Sequence, residues 1–167
     1  IPPRDYEIIH AIPQEFVCDD QGGYENPERV ACSKLEIRAH LVLAAPTAVQ
    51  NLLRCVGQAG CRVNGVLLQA IASATTVLSD SEKDLGVLLL DIGGGTTDIA
   101  LYNDGSIKYS GVVPLAGDSV TNDIAHFLKV SKSDAENAKK RYGFADARQV
   151  DSSEAFDVSG VFQSKRM

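Results

Sequence analysis

Alternation of polar and apolar residues predicts strands in the first quarter of the chain. Residues 34–44 alternate and then become wholly apolar, which is typical of a strand that enters a core. Residues 7–18 also have strand character, and we expect an interruption at Pro13 because proline cannot donate to a ladder. The segment 19–33 between them is rich in Asp, Gly, Asn and Pro, which predicts a loop.

Apolar residues at helical spacing predict the elements that follow. Positions 49–56 have this spacing, so we predict a helix there, with Thr47 as its N-cap and an end at the two glycines that come next. A short strand is expected at 63–68. Small and apolar residues then predict a short helix over 71–78, which the polar run after it ends.

The middle of the chain predicts a three-stranded hairpin unit. Strands are expected at 86–91 and 97–103, joined by a glycine-rich turn. Asp104-Gly105 is a two-residue hairpin signal, so we expect the returning strand at 106–113.

Two helices are predicted in the remainder, over 118–129 and 133–142. Ser133 is followed by Glu136 three residues later, which is capping-box spacing. One strand is expected around 155–161. Because strands and helices mix throughout, the fold class is α/β.

Composition narrows the possible functions. Among 167 residues, 44% are hydrophobic and 23% are charged, which excludes wholesale disorder. The net charge of −6 is evidence against a nucleic-acid partner. No apolar run approaches the roughly 20 residues that span a bilayer. The four cysteines form no CxxC pair, which favours a reducing compartment, and Cys55 and Cys61 are expected to be small core residues.

The candidate chemistry lies in the segment 91–98, Asp-Ile-Gly-Gly-Gly-Thr-Thr-Asp, between two predicted strands. Its three glycines allow a ligand to approach the backbone closely, and consecutive amides can form an anion-binding concavity. We also expect the turn to need a backbone conformation that a branched residue resists. Asp91 is placed to hold Mg²⁺ through water. The candidate phosphate-binding residues are Gly93, Gly94, Gly95, Thr96 and Thr97.

Other glycine motifs fit this segment less well. A strand follows the glycines, whereas a helix follows them in a Rossmann fingerprint, and no Gly-Lys-Ser/Thr completes a Walker A loop. An ordinary glycine-rich hairpin is the alternative interpretation.

The glycine segment resembles the second phosphate-binding motif of the actin, sugar-kinase and heat-shock chaperone ATPase superfamily. Two further segments agree. Residues 115–124 are similar to the superfamily's Gly-Gly-x-x-(Ile/Val)-Thr-x-Asp-Ile segment, with Gly117 as the second glycine and Ala116 in place of the first. Residues 135–139 are similar to its Ala-Glu-x-x-Lys helix. The resemblance implies an actin-like, ribonuclease-H-like fold with mixed sheets and flanking helices, and it places Glu136 and Lys139 beside the nucleoside. A solvated surface pair is the alternative for these two charges.

The resemblance also bears on Gln69 and on the histidines. Gln69 aligns with a Gln or Glu that orients the attacking water in actin-like ATPases, although a polar residue at a helix start is an equal alternative. No metal-ligand set accompanies His10, His40 or His126, so each is expected to be structural.

Within the superfamily, the chain resembles the FtsA cell-division family over roughly residues 6–150. The specific segments are Ile9–Phe16 (IHAIPQEF), Asn26-Pro27, Leu35–His40 and Glu82–Val87. The resemblance implies four parts: 1–42, the later part of the FtsA-specific small subdomain; 43–84, the second segment of the first large subdomain; 85–117, the start of the second large subdomain; and 118–167, the start of the second small subdomain. We therefore expect an internal fragment that lacks the first phosphate loop, the adenosine segment and a membrane-binding C-terminal helix.

The function implied by the resemblance is an actin-like scaffold that binds ATP and Mg²⁺. Such a protein forms filaments, links FtsZ to the cytoplasmic membrane and helps to recruit other division proteins. It is expected at the division septum, on the cytoplasmic side of the bacterial inner membrane. It is at most a weak ATPase. The alternatives are another ATPase of the superfamily: a metabolite kinase, a chaperone-type ATPase, or an assembly ATPase of pili or microcompartments.

Overall fold

A computed structural model describes Pro3, residues 5–24, residues 26–150 and Ser153. It forms two compact units. Unit 1 comprises residues up to Asp91 together with 98–112. Unit 2 comprises residues 92–97 and those from Val113 onward. The strand expected at 155–161 lies outside the described residues.

Unit 1 contains a three-stranded antiparallel sheet in the order β2-β1-β3. Its strands are β1 (Glu7–Cys18), β2 (Gln21–Tyr24) and β3 (Leu35–Ala44). The expected interruption at Pro13 is wrong. Pro13 stays within the strand and pairs in register with Ala39, and β2 pairs with β1 only near Phe16 and Cys18, so no second described strand needs a hydrogen bond from the proline. The ladder shifts register directly after Pro13, at Gln14.

Three helices follow in unit 1: α1 (Pro46–Gln58), α2 (Gln69–Val77) and α3 (Asp80–Leu85). The N-cap of α1 is Ala45, not Thr47, because Pro46 takes the first helical position, where its fixed φ suits the helix. The short helix α3 replaces the polar break expected there, and it begins with a capping box between Ser79 and Glu82.

The strand expected at 63–68 is wrong, since residues 61–68 have no regular secondary structure. These residues have strand-like composition, but within the described chain no neighbouring strand pairs with them. The backbone N–H of Leu68 donates instead to the imidazole of His10.

A second three-stranded sheet has the order β4-β5-β6. Its strands are β4 (Val87–Ile92), β5 (Thr97–Asn103) and β6 (Ser106–Val113). These strands match the predicted ones. Asp104 and Gly105 connect β5 to β6 with φ angles of 48° and 68°, as a two-residue hairpin turn requires.

The core of unit 1 is small and lies between α2 and the second sheet. Its buried residues are Ala70, Ala74, Ala100, Tyr102 and Ile107. Alanines on α2 allow the helix to approach the strands closely, and the half-buried Ile12 of β1 packs against the same cluster.

Unit 2 carries two helices, α4 (Gly117–Leu128) and α5 (Lys132–Tyr142), and a short 3₁₀ helix over Ala147–Gln149. The cap expected at Ser133 is wrong. Ser131 is the N-cap, and its side chain accepts from the Asp134 N–H at 3.1 Å. No helix of the described residues is long and apolar enough to cross a membrane.

Candidate functional site

The glycine turn between β4 and β5 presents unpaired amides. Gly93 N–H donates to Thr96 O at 2.9 Å and closes the turn. Gly94 and Gly95 are exposed, and within the described part of the chain their N–H groups donate to no other group. The exposed Thr96 hydroxyl is also unpaired among these residues. Such donors can receive an anion.

The start of α4 fixes the turn from the other side. Gly117 N–H donates to Gly93 O at 3.1 Å, and Asp118 N–H donates to Gly94 O at 2.7 Å. The turn carbonyls therefore satisfy two of the amides that a helix leaves free at its N-terminus. The Thr97 hydroxyl donates to Leu115 O at 2.7 Å, so Thr97 supports the turn rather than offering a free donor.

The glycines of the turn leave open space beside the backbone, but they do not adopt an unusual backbone conformation. Their φ angles lie outside the left-handed region, so the expectation of a conformation that branched residues resist is wrong. A Cβ on Gly93 would lie 3.2 Å from Thr96 O, and one on Gly94 would lie 3.5 Å from an Asp118 carboxylate oxygen. A Cβ on Gly95 would meet nothing within 4 Å, so the space beside this residue is open.

Lys139 organises the polar contacts between α4 and α5. Its ammonium donates to Glu136 Oε2 at 2.7 Å, to Thr121 Oγ1 at 2.8 Å and to Gly117 O at 3.1 Å. These contacts use the three donors of the ammonium. The Thr121 hydroxyl lies 2.5 Å from Glu136 Oε2, so its proton goes to that carboxylate rather than to Gly117 O at 3.2 Å.

Glu136 is ionised by its surroundings. Hydrogen bonds from Lys139, Thr121 and Lys140, in that order of effect, lower the pKa of this carboxyl from 4.5 to about 2. The pair of Glu136 and Lys139 is therefore part of a network with buried Thr121, and it is not the isolated surface pair that the sequence left open.

A cavity of about 340 Å³, half open to solvent, lies beside this network in unit 2. Its volume is within the range of small-molecule sites. Both helices contribute polar side chains to its walls: Asp118, Thr121, Asn122, Lys132, Ser133 and Glu136.

Unit 1 carries a separate cluster around Asp91, near the end of β4. Ser73 Oγ donates to Asp91 Oδ2 at 2.8 Å, and Gln69 Nε2 donates to the same oxygen at 3.1 Å. Gln69 and Ser73 lie one turn apart on α2, so both reach one carboxylate. These bonds, with Ser73 the larger cause, lower the pKa of Asp91.

Sequence reasoning missed Thr121, Ser73 and Asp118. Thr121 is the threonine of the motif over 115–124 and lies one helical turn after Gly117, and these two signals could have identified its role. Ser73 has the same spacing from Gln69. No local pattern indicates that Asp118 lies against Gly94, since that contact depends on how α4 meets the turn.

The remaining residues that the sequence singled out are not members of these clusters. Cys55 and Cys61 are exposed, so the expectation that they are core residues is wrong; α1 buries none of its residues within the described structure. His10 and His40 make structural hydrogen bonds in unit 1, to Leu68 N–H and to Ser110 Oγ. No group of three or more metal-ligating side chains occurs among the residues described.

The class that the fold defines is the actin-like fold, as the sequence predicted. The PilM-PilN type IV pilus biogenesis complex contains a chain of this fold with a TM-score of 0.61 and 24% identity, aligned over 68% of this chain and 34% of that one. At this identity, the likeness is one of fold alone.

The family follows from sequence comparison. The model of Cell division protein FtsA matches residues 88–167, and the model of the SHS2 domain inserted in FtsA matches residues 1–43. The Cell division protein FtsA of Pseudomonas aeruginosa is 42% identical over 95% of this chain and 38% of its own length. The Cell division protein FtsA of Neisseria meningitidis serogroup B is 39% identical over 96% of this chain and 39% of its own length. The chain belongs to the FtsA family of cell division proteins, and it spans less than half the length of these relatives.

Proposed function

We propose that the protein is an ATP-binding, actin-like scaffold of cell division. In this proposal it assembles into filaments, links FtsZ polymers to the cytoplasmic membrane and helps to recruit other division proteins. It acts at the septum, on the cytoplasmic side of the bacterial inner membrane. Membership of the FtsA family supports a role in division rather than a metabolite kinase or a chaperone.

The observation that carries the nucleotide proposal is the pair of unpaired amides at Gly94 and Gly95. Both are exposed on a turn that α4 holds by two backbone hydrogen bonds. Oriented amides of this kind bind phosphate oxygens. The Thr96 hydroxyl adds a donor, and Gly95 leaves room for the anion. These residues fit a phosphate chain.

The nucleoside part is proposed to lie in the cavity between α4 and α5. Glu136 lines it as an ionised acceptor, suited to ribose hydroxyls. Lys139 holds Glu136 and Gly117 in place, so in this proposal it supports the nucleoside indirectly.

Asp91 is proposed to hold Mg²⁺ through water. Its Oδ2 accepts from Ser73 and Gln69, and its Oδ1 accepts no hydrogen bond from the described residues, which leaves an ionised oxygen for a hydrated cation. Magnesium would neutralise phosphate charge when bound. The exposed amide of Gln69 is proposed to orient water, and hydrolysis is slow and secondary to assembly.

Co-sedimentation tests the scaffold. Full-length protein is mixed with FtsZ polymers and vesicles that contain anionic lipid, with and without ATP and Mg²⁺. We expect FtsZ to pellet with the vesicles only when the protein is present, and more completely with nucleotide. FtsZ that stays in the supernatant under all conditions contradicts the proposal.

A further inference from the structure

One face of β1 is turned toward the rest of unit 1. His10, Ile12 and Gln14 are half-buried and alternate with exposed Ala11 and Pro13. This period of two places the three half-buried side chains on one face of the sheet. They belong to the IHAIPQEF segment, to which the proposed function assigns no role.

Each residue of this face has a defined partner. The Gln14 side-chain amide donates to Ile107 O in β6 at 2.5 Å, and Ile12 packs against the core beneath α2. Gln14 lies at the register shift of the ladder, between the Pro13 and Glu15 pairs. The hydrogen bond and the apolar contact of this face therefore hold the first sheet against α2 and the second sheet.

His10 makes the contact that reaches α2. Its Nε2 accepts a hydrogen bond from the backbone N–H of Leu68 at 3.1 Å. Leu68 is the N-cap of α2, and no side chain of the helix itself caps that end. The N–H groups at a helix start lack partners within the helix. His10 therefore supplies from β1 a partner that α2 lacks.

The next residue after Leu68 is Gln69, which donates to Asp91. The carbonyl of Leu68 accepts from the Ile71 and Ala72 N–H groups at 3.0 and 3.1 Å, so the first turn of α2 is built on this residue. A displacement of Leu68 would move Gln69 with it.

We propose that His10 is a positioning residue that holds the first turn of α2, and with it Gln69, in place against Asp91. The first sheet and the Asp91 cluster are then coupled, so that a displacement of the first sheet changes the position of Gln69. The consequence for hydrolysis rests on the proposed function, whereas the coupling itself does not.

The chemistry of the bond dictates the variants. Because Nε2 accepts, the neutral ring carries its proton on Nδ1. His10→Ala removes the acceptor. His10→Gln keeps one at similar reach, through its side-chain carbonyl. His40→Ala is the matched control, because His40 Nε2 lies 2.9 Å from Ser110 Oγ, so its hydrogen bond joins the first sheet to β6 and not to α2.

Hydrogen–deuterium exchange of the full-length protein without nucleotide tests the coupling. In His10→Ala, we expect amides of the first turn of α2 to exchange about fivefold faster, as for the loss of a helix cap. His10→Gln should restore slow exchange, and His40→Ala should leave these amides unchanged. Unchanged exchange in His10→Ala, or an equal rise in His40→Ala, would overturn the proposal.

Phosphate release from ATP then tests the consequence. His10→Ala should lower kcat at unchanged KM, His10→Gln should recover it, and His40→Ala should keep it. A protein that hydrolyses no ATP would contradict the proposed hydrolysis and leave the exchange result to decide the coupling. A rate that is normal in His10→Ala but lowered in Gln69→Ala would overturn the positioning role.

Discussion

The ammonium of Lys139 lies 2.8 Å from the hydroxyl of Thr121, and this hydrogen bond joins α5 to α4. Lys139 also reaches Gly117 O, whose residue donates to Gly93 O in the glycine turn. A single lysine thus connects the wall of the cavity to the support of the turn, all within unit 2. Loosening α5 should therefore weaken both parts of the proposed nucleotide site.

Thr121→Val tests this network. Valine keeps the shape but removes the hydroxyl that donates to Glu136 and accepts from Lys139. We expect the pKa of Glu136 to rise from about 2 toward 4.5, and the free energy of unfolding to fall by about 1–3 kcal/mol because the site is buried. Carboxyl NMR titration and denaturant unfolding of the full-length protein measure the two effects. Thr75→Val is the control, since that exposed hydroxyl donates only to Ala72 O, and equal effects in both variants would contradict the network.

Acid should remove the contribution of Glu136 to stability. A carboxyl whose pKa is lowered in the folded protein stabilises it fully above its ordinary value, here 4.5, and this contribution is lost as the pH falls toward about 2. We expect the difference in thermal midpoint between the wild type and Glu136→Gln to shrink across that window. A difference that stays constant from pH 5 to about 2 would show that the charge of Glu136 contributes nothing.

Gln69 and Asp91 should separate hydrolysis from binding. Gln69→Ala should slow phosphate release on the order of a hundredfold, because misplaced water reacts slowly, while ATP affinity and filaments on lipid persist. Asp91→Ala should lose Mg²⁺-dependent binding and filaments together. Ser73→Ala removes the shorter hydrogen bond to the same carboxylate but leaves Gln69 in place. Its rate of phosphate release therefore shows how much of the effect of Gln69→Ala comes from the loss of a hydrogen bond to Asp91. Loss of filaments in Gln69→Ala at normal ATP affinity would mean that hydrolysis drives assembly.

Gly86 should be intolerant of a side chain. Its φ is 100°, which side chains resist, and a Cβ would lie 2.9 Å from Asn103 Oδ1. We expect Gly86→Ala to destabilise the protein by about 1–3 kcal/mol. Gly57→Ala is the contrast: Gly57 lies within α1 with open space around it, so alanine should stabilise by roughly 0.4–1 kcal/mol. Thermal unfolding measures both, and equal midpoints would contradict the assignment of strain to Gly86.

Local signals in the sequence predicted much of the fold. The strands β4, β5 and β6 follow from short apolar runs and from Asp104-Gly105, because the hairpin chemistry is contained in adjacent residues. The failures are non-local. Residues 63–68 have strand-like composition, but a strand needs a neighbouring strand to pair with. The backbone N–H of Leu68 donates to the imidazole of His10 instead.

The candidate site was also predicted only in part, because local motifs indicate residues but not the non-local contacts between them. The motif letters include the glycines, Thr121 and Glu136, but they do not predict the contacts of Thr121, which depend on how α4 packs against α5. The cap at Ser131 was missed because Ser133, two residues later, offered Glu136 at capping-box spacing. In the structure that carboxylate bonds to Thr121 and Lys139.

The central claim is that the glycine turn binds the phosphates of ATP, and Gly95→Val tests it most directly. Its Cβ meets nothing within 4 Å and φ is unstrained, so the variant should fold normally while its side chain fills the space of the anion. Gly65→Val, equally open but far from the turn in sequence, is the control. In calorimetric titration of full-length protein with ATP and Mg²⁺, we predict an affinity loss of about tenfold or more for Gly95→Val, as for the loss of one charge-assisted hydrogen bond, and none for Gly65→Val. Wild-type affinity in folded Gly95→Val would contradict the claim.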